Sequence, residues 1–149
     1  MNVTLSEIDP SNFEDVIALE LEPAQELNLP TNVYSIAESS LSDMLHPRAI
    51  CVDGIAVGFV MYAVGDIDDE DGHTCTIWRF MVDRRHQGQG IGKIAMGLVL
   101  SEIRARHPCQ MVEIYYGAEN VAARKVYALH GFKDVGRRDD GDIIAERSV

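Results

Sequence analysis

The chain has 149 residues with 24 acids against 13 bases, a net charge of −11. That is enough for one domain with a real core, and its sign disfavours nucleic acid as a partner. No run approaches the roughly 18 apolar residues of a membrane span, and the opening residues MNVTLSEIDP lack the basic start and apolar core of a signal peptide. A single cytoplasmic domain, 1–149, with no membrane contact is expected. Cys51, Cys75 and Cys109 are scattered, so they read as reduced packing residues in a reducing compartment. No Cys/His spacing suggests a metal site.

The charge is uneven. Residues 1–78 hold fifteen acids and one base, Arg48, for a net −14; residues 79–149 hold nine acids and twelve bases, for a net +3. The second half suits an anionic ligand, and the first attracts cations.

In chain order, Val3, Leu5 and Ile8 predict a strand ended by Asp9-Pro10. A helix over residues 12–21, capped by Asp9 or Ser11, carries Phe13, Val16, Ile17 and Leu21 on one stripe and stops before Pro23. Residues 24–33 read as loop or short helix. A second helix over 34–45 ends at His46-Pro47. Strands over 48–52 and 55–64 flank the hairpin turn Asp53-Gly54. The acidic run 65–72 lacks the regular Asp spacing and closing Glu of a calcium loop, so it reads as a solvated loop. A strand over 73–82 follows, then a helix over 90–107 stopped by Pro108. A strand over 111–116, a helix over 121–130, and strands over 132–137 and 143–147 around Asp140-Gly141 complete the chain.

The chain is organised around WRFMVDRRHQGQGIGK, residues 78–93. A strand fires into a glycine turn and then into a helix. The glycines let a backbone approach another group closely. The first helical amides lack partners inside the helix, and that end of its dipole is positive. Together they make an anion seat, most naturally for a pyrophosphate. Gly88, Gly90 and Gly92 fit neither the P-loop nor the dinucleotide fingerprint.

Gln-x-x-Gly-x-Gly at Gln87, Gly90 and Gly92 resembles the acyl-CoA loop of the GCN5-related N-acetyltransferases, the GNAT family. Asn120-x-x-Ala123-x-x-x-Tyr127-x-x-x-Gly131-Phe132 resembles the second half of the same signature. The resemblance implies an α/β fold of the α+β type: a mixed, mostly antiparallel sheet of about seven strands flanked by four helices. It implies a gap between the fourth and fifth strands for the pantetheine arm. It also implies acetyl-CoA as co-substrate, with no metal.

The cofactor residues it implies are Met81, Val82, Gln87, Gly88, Gln89, Gly90, Ile91, Gly92, Lys93, Asn120 and Tyr127. A backbone amide at Met81 or its neighbours polarises the thioester, and Tyr127 protonates the leaving sulfur. A phenol with pKa about 10 stays protonated at neutral pH and can donate. Asn120 contacts cofactor, caps its helix, or both; Arg124 and Lys125 meet phosphates or face solvent. Where relatives can carry a catalytic acid this chain has Trp78. Glu113 is the substitute base, with Glu22, Glu26, the 68–71 loop and proton loss to water as alternatives.

The N-terminal residues Glu22–Glu26 and Tyr34–Glu38 resemble the bacterial spermine/spermidine (diamine) branch of the family. That implies acetylation of a polyamine by direct attack in a ternary complex. Glu22, Glu26, Tyr34 and Trp78 are then the acceptor contacts, the aromatics through cation–π attraction. Another amine, such as an aminoglycoside, peptide N-terminus or lysine, and a non-catalytic acyl-CoA sensor stay open. Edge strands suggest a homodimer.

Overall fold

The computed structural model describes residues 1–26, 30–65 and 73–149. Most of the expected acidic loop lies outside these residues, as does the side chain of Glu26. Among the described residues the order is β1 (Val3–Glu7), α1 (Phe13–Ile17), α2 (Pro23–Glu26), α3 (Asn32–Ser39), β2 (Leu45–Val52), β3 (Ile55–Val64), β4 (Thr74–Val82), α4 (Ile91–Arg106), β5 (Met111–Tyr116), α5 (Val121–Leu129), β6 (Lys133–Arg137) and β7 (Ile143–Ser148). The seven strands form one sheet in the order β1-β2-β3-β4-β5-β7-β6. Only β4 and β5 pair in parallel. The expected mixed sheet is present, with four helices of five residues or more and the four-residue turn α2.

Each sheet face has its own core. On one, α4 and α5 pack Ile91, Ala95, Val99, Ile103 and Tyr127 against Val60, Tyr62, Ile77 and Ile114. On the other, Val16 of α1 meets Phe59, Met61 and Met81, with Ile36 of α3 and Trp78 at the margin. Asp53 and Gly54 both adopt positive φ, 50° and 85°, the backbone a two-residue hairpin needs to match strand twist.

The N-terminal helices are shorter than their periodicity predicts. Instead of running over 12–21, α1 stops at Ile17. Glu20 N–H donates to the Asp83 carboxylate at 2.9 Å, and Glu20 C=O accepts from Arg84 N–H at 2.7 Å. These tertiary bonds draw the chain off the helical path. The second helix covers Asn32–Ser39, not 34–45. Thr31 caps it by accepting from Tyr34 N–H, and the Ser39 and Ser40 hydroxyls bond back to Ile36 and Ala37 carbonyls near its end. His46 and Pro47 do not end a helix; they lie in β2, opposite Tyr62 and Met61. Pro47 is tolerated because pairing with β1 reaches only Arg48, so its outer side has no ladder to break.

Cys75 and Cys109 form a disulfide across 34 residues, and Cys51 alone is free and buried. This corrects the reading of all three as reduced thiols. The pair joins the start of β4 to the segment entering β5, two neighbours in the parallel ladder. The cysteines therefore give no argument for a reducing compartment. Arg48, the one base of the acidic half, is buried and ion-paired to Glu102 of α4 at 3.2 Å, so it does not offset the acidic surface.

Candidate active site

β4 and β5 are in register only from Thr74↔Met111 to Ile77↔Ile114. Beyond that point β4 continues against β3 alone, and β5 continues against β7 through Tyr115 and Tyr116. A V-shaped gap opens between them. A β-bulge sits at its vertex: Met61 faces Arg79 while Tyr62 faces Ile77, leaving Trp78 as the extra residue. A bulge re-aims side chains. Cys75 and Ile77 point to the α4 core, yet beyond the bulge it is Phe80 and Val82 that do so. Arg79 and Met81 thereby face α1 and α3.

The gap is lined with backbone donors. Asp83 N–H donates to Val57 C=O at 2.8 Å. Antiparallel alternation then turns the Met81 amide toward β3 and leaves those of Phe80 and Val82 facing the gap. Val82 and the neighbour Phe80, rather than Met81, are the donors placed to hold a carbonyl oxygen.

The glycine loop hangs from Asp83. Its fully buried carboxylate accepts from Glu20 N–H, Arg85 N–H and Arg85 Nε, each at 2.9 Å. Burial opposes its charge, but the bonds from Arg85 and the two amides outweigh that and hold its pKa far below the usual carboxylate range. Gln87 is committed within the protein: Nε2 donates to Val82 C=O at 2.9 Å and Gln25 Oε1 at 3.1 Å. Its side chain braces the loop.

Gly88 and Gly90 have φ of +77° and +82°. A Cβ built on either meets nothing within 4 Å, so the space above them is open. Gly90 begins α4 with no side-chain cap and no acid in the first turn. Gly92 is different: a Cβ there comes to 3.8 Å from Phe80 and 3.9 Å from Val82, seating the helix on β4. Gln89 and Lys93 are exposed beside the opening, and Ile91 is buried beneath it. An uncapped helix start under two open, left-handed glycines fits a pyrophosphate.

On the β5 side of the gap, Asn120 caps α5 by accepting from Ala123 N–H at 3.1 Å. Tyr127 is buried, its ring edge-on to Tyr116 (5.5 Å) and Phe132 (6.0 Å). Burial raises its phenol pKa well above the ordinary value, so it stays protonated across the physiological range. Arg124 Nε donates to Tyr116 Oη, which donates to Asp134; Lys125 is exposed.

A cavity of about 330 Å³ lies on the α1/α3 side of free β4. Leu19, Leu21, Pro30 and Met81 supply apolar wall, Thr31 and Asn32 polar wall, and Arg79 the charge. Such a volume is at the small end of ligand pockets. Neither Arg79 nor Asp83 was singled out from the sequence, although each is a charge in or beside an apolar strand. Glu22 and Tyr34 are exposed, Trp78 packs at the margin of the second core, and none of the three lines the cavity. Glu113 is half-buried in register between Thr76 and Glu146, just inside the vertex. Among the described residues no cluster of three or more His, Cys, Asp or Glu could hold a metal, and no helix is long and apolar enough to cross a membrane.

The model of the Acetyltransferase (GNAT) family matches residues 13–132. A spermine/spermidine N(1)-acetyltransferase of Bacillus subtilis (strain 168) is 23% identical over 141 residues, covering 93% of each chain. A probable spermine N(1)-acetyltransferase of Bacillus subtilis subsp. natto (strain BEST195) is 22% identical over the same length and coverage. Among solved structures, the ribosomal-protein-S18-alanine N-acetyltransferase of Escherichia coli superposes with TM-score 0.75 at 18% identity, over 99% of this chain and 94% of that one. The aminoglycoside acetyltransferase AAC(6')-Ib gives 0.77 at 14% identity, over 99% and 95%. The gap, the uncapped glycine turn and the family match over most of the chain make this protein a member of the GNAT family of N-acetyltransferases, an acyltransferase.

Proposed function

We propose that the chain moves an acetyl group from acetyl-CoA to a primary amine of a polyamine or similar aliphatic diamine, by direct attack within a ternary complex. The observation that carries the reading is the β4–β5 gap opening onto the uncapped start of α4. Acetyl-CoA, when bound, supplies the activated acyl group. The amides at Gly88–Lys93 hold its pyrophosphate, the Phe80 and Val82 amides steady the acyl oxygen, and Tyr127 keeps a proton for the departing sulfur. The apolar cavity wall disfavours an ammonium. An amine near the gap therefore loses its proton readily, to water or to Glu113.

The acceptor class is supported by the two Bacillus relatives and by the −14 charge of residues 1–78. That field concentrates polycations. The test is acetyl-CoA-dependent thiol release with spermine, spermidine, putrescine, an aminoglycoside and a lysine peptide. Turnover on the aliphatic di- and polyamines, falling as salt rises, is expected. Turnover confined to the aminoglycoside or the peptide overturns the acceptor class; acetyl-CoA binding with no turnover on any amine overturns the enzyme reading in favour of a sensor. The working unit is a homodimer formed through a sheet edge, of which β6 exposes all five residues. A monomer mass by light scattering refutes this.

A further inference from the structure

The cavity beside β4 has a charged wall that the acceptor must meet. Arg79 is about four-fifths buried, and Nη1 donates to Trp78 C=O at 3.1 Å. Its Nε is buried with no hydrogen-bond partner. The carboxylate of Glu38 in α3 stands 3.6 Å from Nη2, too far for a good hydrogen bond, and Glu38 Oε1 is itself buried and unpartnered. The pair neutralises charge without satisfying the donor that the guanidinium brings inside. The other polar walls are partly committed. Asn32 Nδ2 donates to Val16 C=O at 3.0 Å, and Thr31 Oγ1 accepts from Tyr34 N–H.

A buried guanidinium N–H without an acceptor is costly, and the shape of the fork matches two carboxylate oxygens. The bulge at Trp78 aims Arg79 into this cavity; in unbroken alternation with Cys75 and Ile77 it would enter the α4 core.

We infer that Arg79 is a specificity residue that selects an acceptor carrying a carboxylate on the same chain as its amine. This rests on the reading of the cavity as the acceptor side of an amine acetyltransferase, and narrows its diamine class. A purely cationic polyamine brings this guanidinium no acceptor. A diamino acid satisfies both features: the acidic N-terminal half draws in its ammonium groups, and Arg79 takes its carboxylate.

The test uses pairs that differ only in the carboxylate: lysine against cadaverine, and ornithine against putrescine. The carboxylate-bearing member is expected to have kcat/KM higher by about ten- to a hundredfold, the scale of one charge-assisted bond gained. In Arg79→Gln the ratio should fall to about one, with the acetyl-CoA Kd unchanged. Lysinamide against lysine on the unaltered protein probes the same contact should the variant not fold, and lysinamide should lose the advantage. Equal or better turnover of cadaverine and putrescine, or a ratio that survives Arg79→Gln, overturns the inference while leaving the amine acetyltransferase standing. Failure to acetylate any amine, spermine and spermidine included, overturns the reading beneath it.

Discussion

Gly90→Ala separates the anion seat from mere turn geometry. Gly90 has φ +82°, where a residue with a Cβ costs roughly 1–2 kcal/mol. Nothing lies within 4 Å of the added methyl, so no clash adds to that strain. At this chain length, such a loss lowers Tm by only a few degrees. The methyl does, however, fill the space through which an anion reaches the first α4 amides. Forfeiting one charge-assisted hydrogen bond weakens acetyl-CoA by about ten- to a hundredfold. Gly54→Ala is the control: φ is +85°, its Cβ also meets nothing, and it sits in the β2–β3 hairpin. Calorimetric titration with acetyl-CoA and urea unfolding should give both variants a similar stability loss, and only Gly90→Ala a large rise in Kd. Equal Kd values for the two would refute the placement of the pyrophosphate on this turn.

Tyr127→Phe should lower kcat by about a hundredfold or more and leave acetyl-CoA affinity alone; an unchanged kcat removes the phenol from the chemistry. Because burial raises the pKa of Tyr127, no falling limb below about pH 10 should belong to it. Such a limb, present in the unaltered enzyme and absent from the Phe variant, would contradict its protonated state. Asp83→Asn should cost about 2–3 kcal/mol near neutrality, since the depressed carboxyl stabilises the fold fully above its unfolded value of about 3.9. That advantage disappears as pH falls through the folded value, so the two proteins should converge in acid. A gap that stays constant from pH 7 to 3 under urea argues against a charged anchor. Reducing Cys75–Cys109 frees a 34-residue loop, worth about 4 kcal/mol by loop-closure entropy. An unchanged urea midpoint with both thiols confirmed free would show that the bond constrains little.

The glycine turn was legible because its chemistry is local: a strand, an unusual density of glycine and a helix follow within sixteen residues. The hairpins at Asp53-Gly54 and Asp140-Gly141 were legible for the same reason, and β3 falls where its apolar run predicts. The lengths of α1 and α3 were not, because distant partners set them. The Asp83 carboxylate takes the Glu20 amide from sixty-three positions away, and no periodicity near Glu20 reports that. Gln87 matches the family pattern in identity, yet its amide is absorbed by Val82 and Gln25, a contact visible only in three dimensions. Arg79 escaped because strand alternation assigns it to the core, and one extra residue reverses that. The disulfide escaped because cysteine spacing says nothing about which strands become neighbours.

The bulge at Trp78 divides β4 into two reading frames. Below it, the strand answers to the disulfide and the α4 core; above it, to the cavity on the α1/α3 side and to the amides that face the gap. Straightening the bulge with every residue kept would turn the Arg79 guanidinium into an apolar core and Phe80 away from α4, whereas deleting Trp78 would leave both on their present faces. The one extra residue therefore decides which face each later residue of β4 presents.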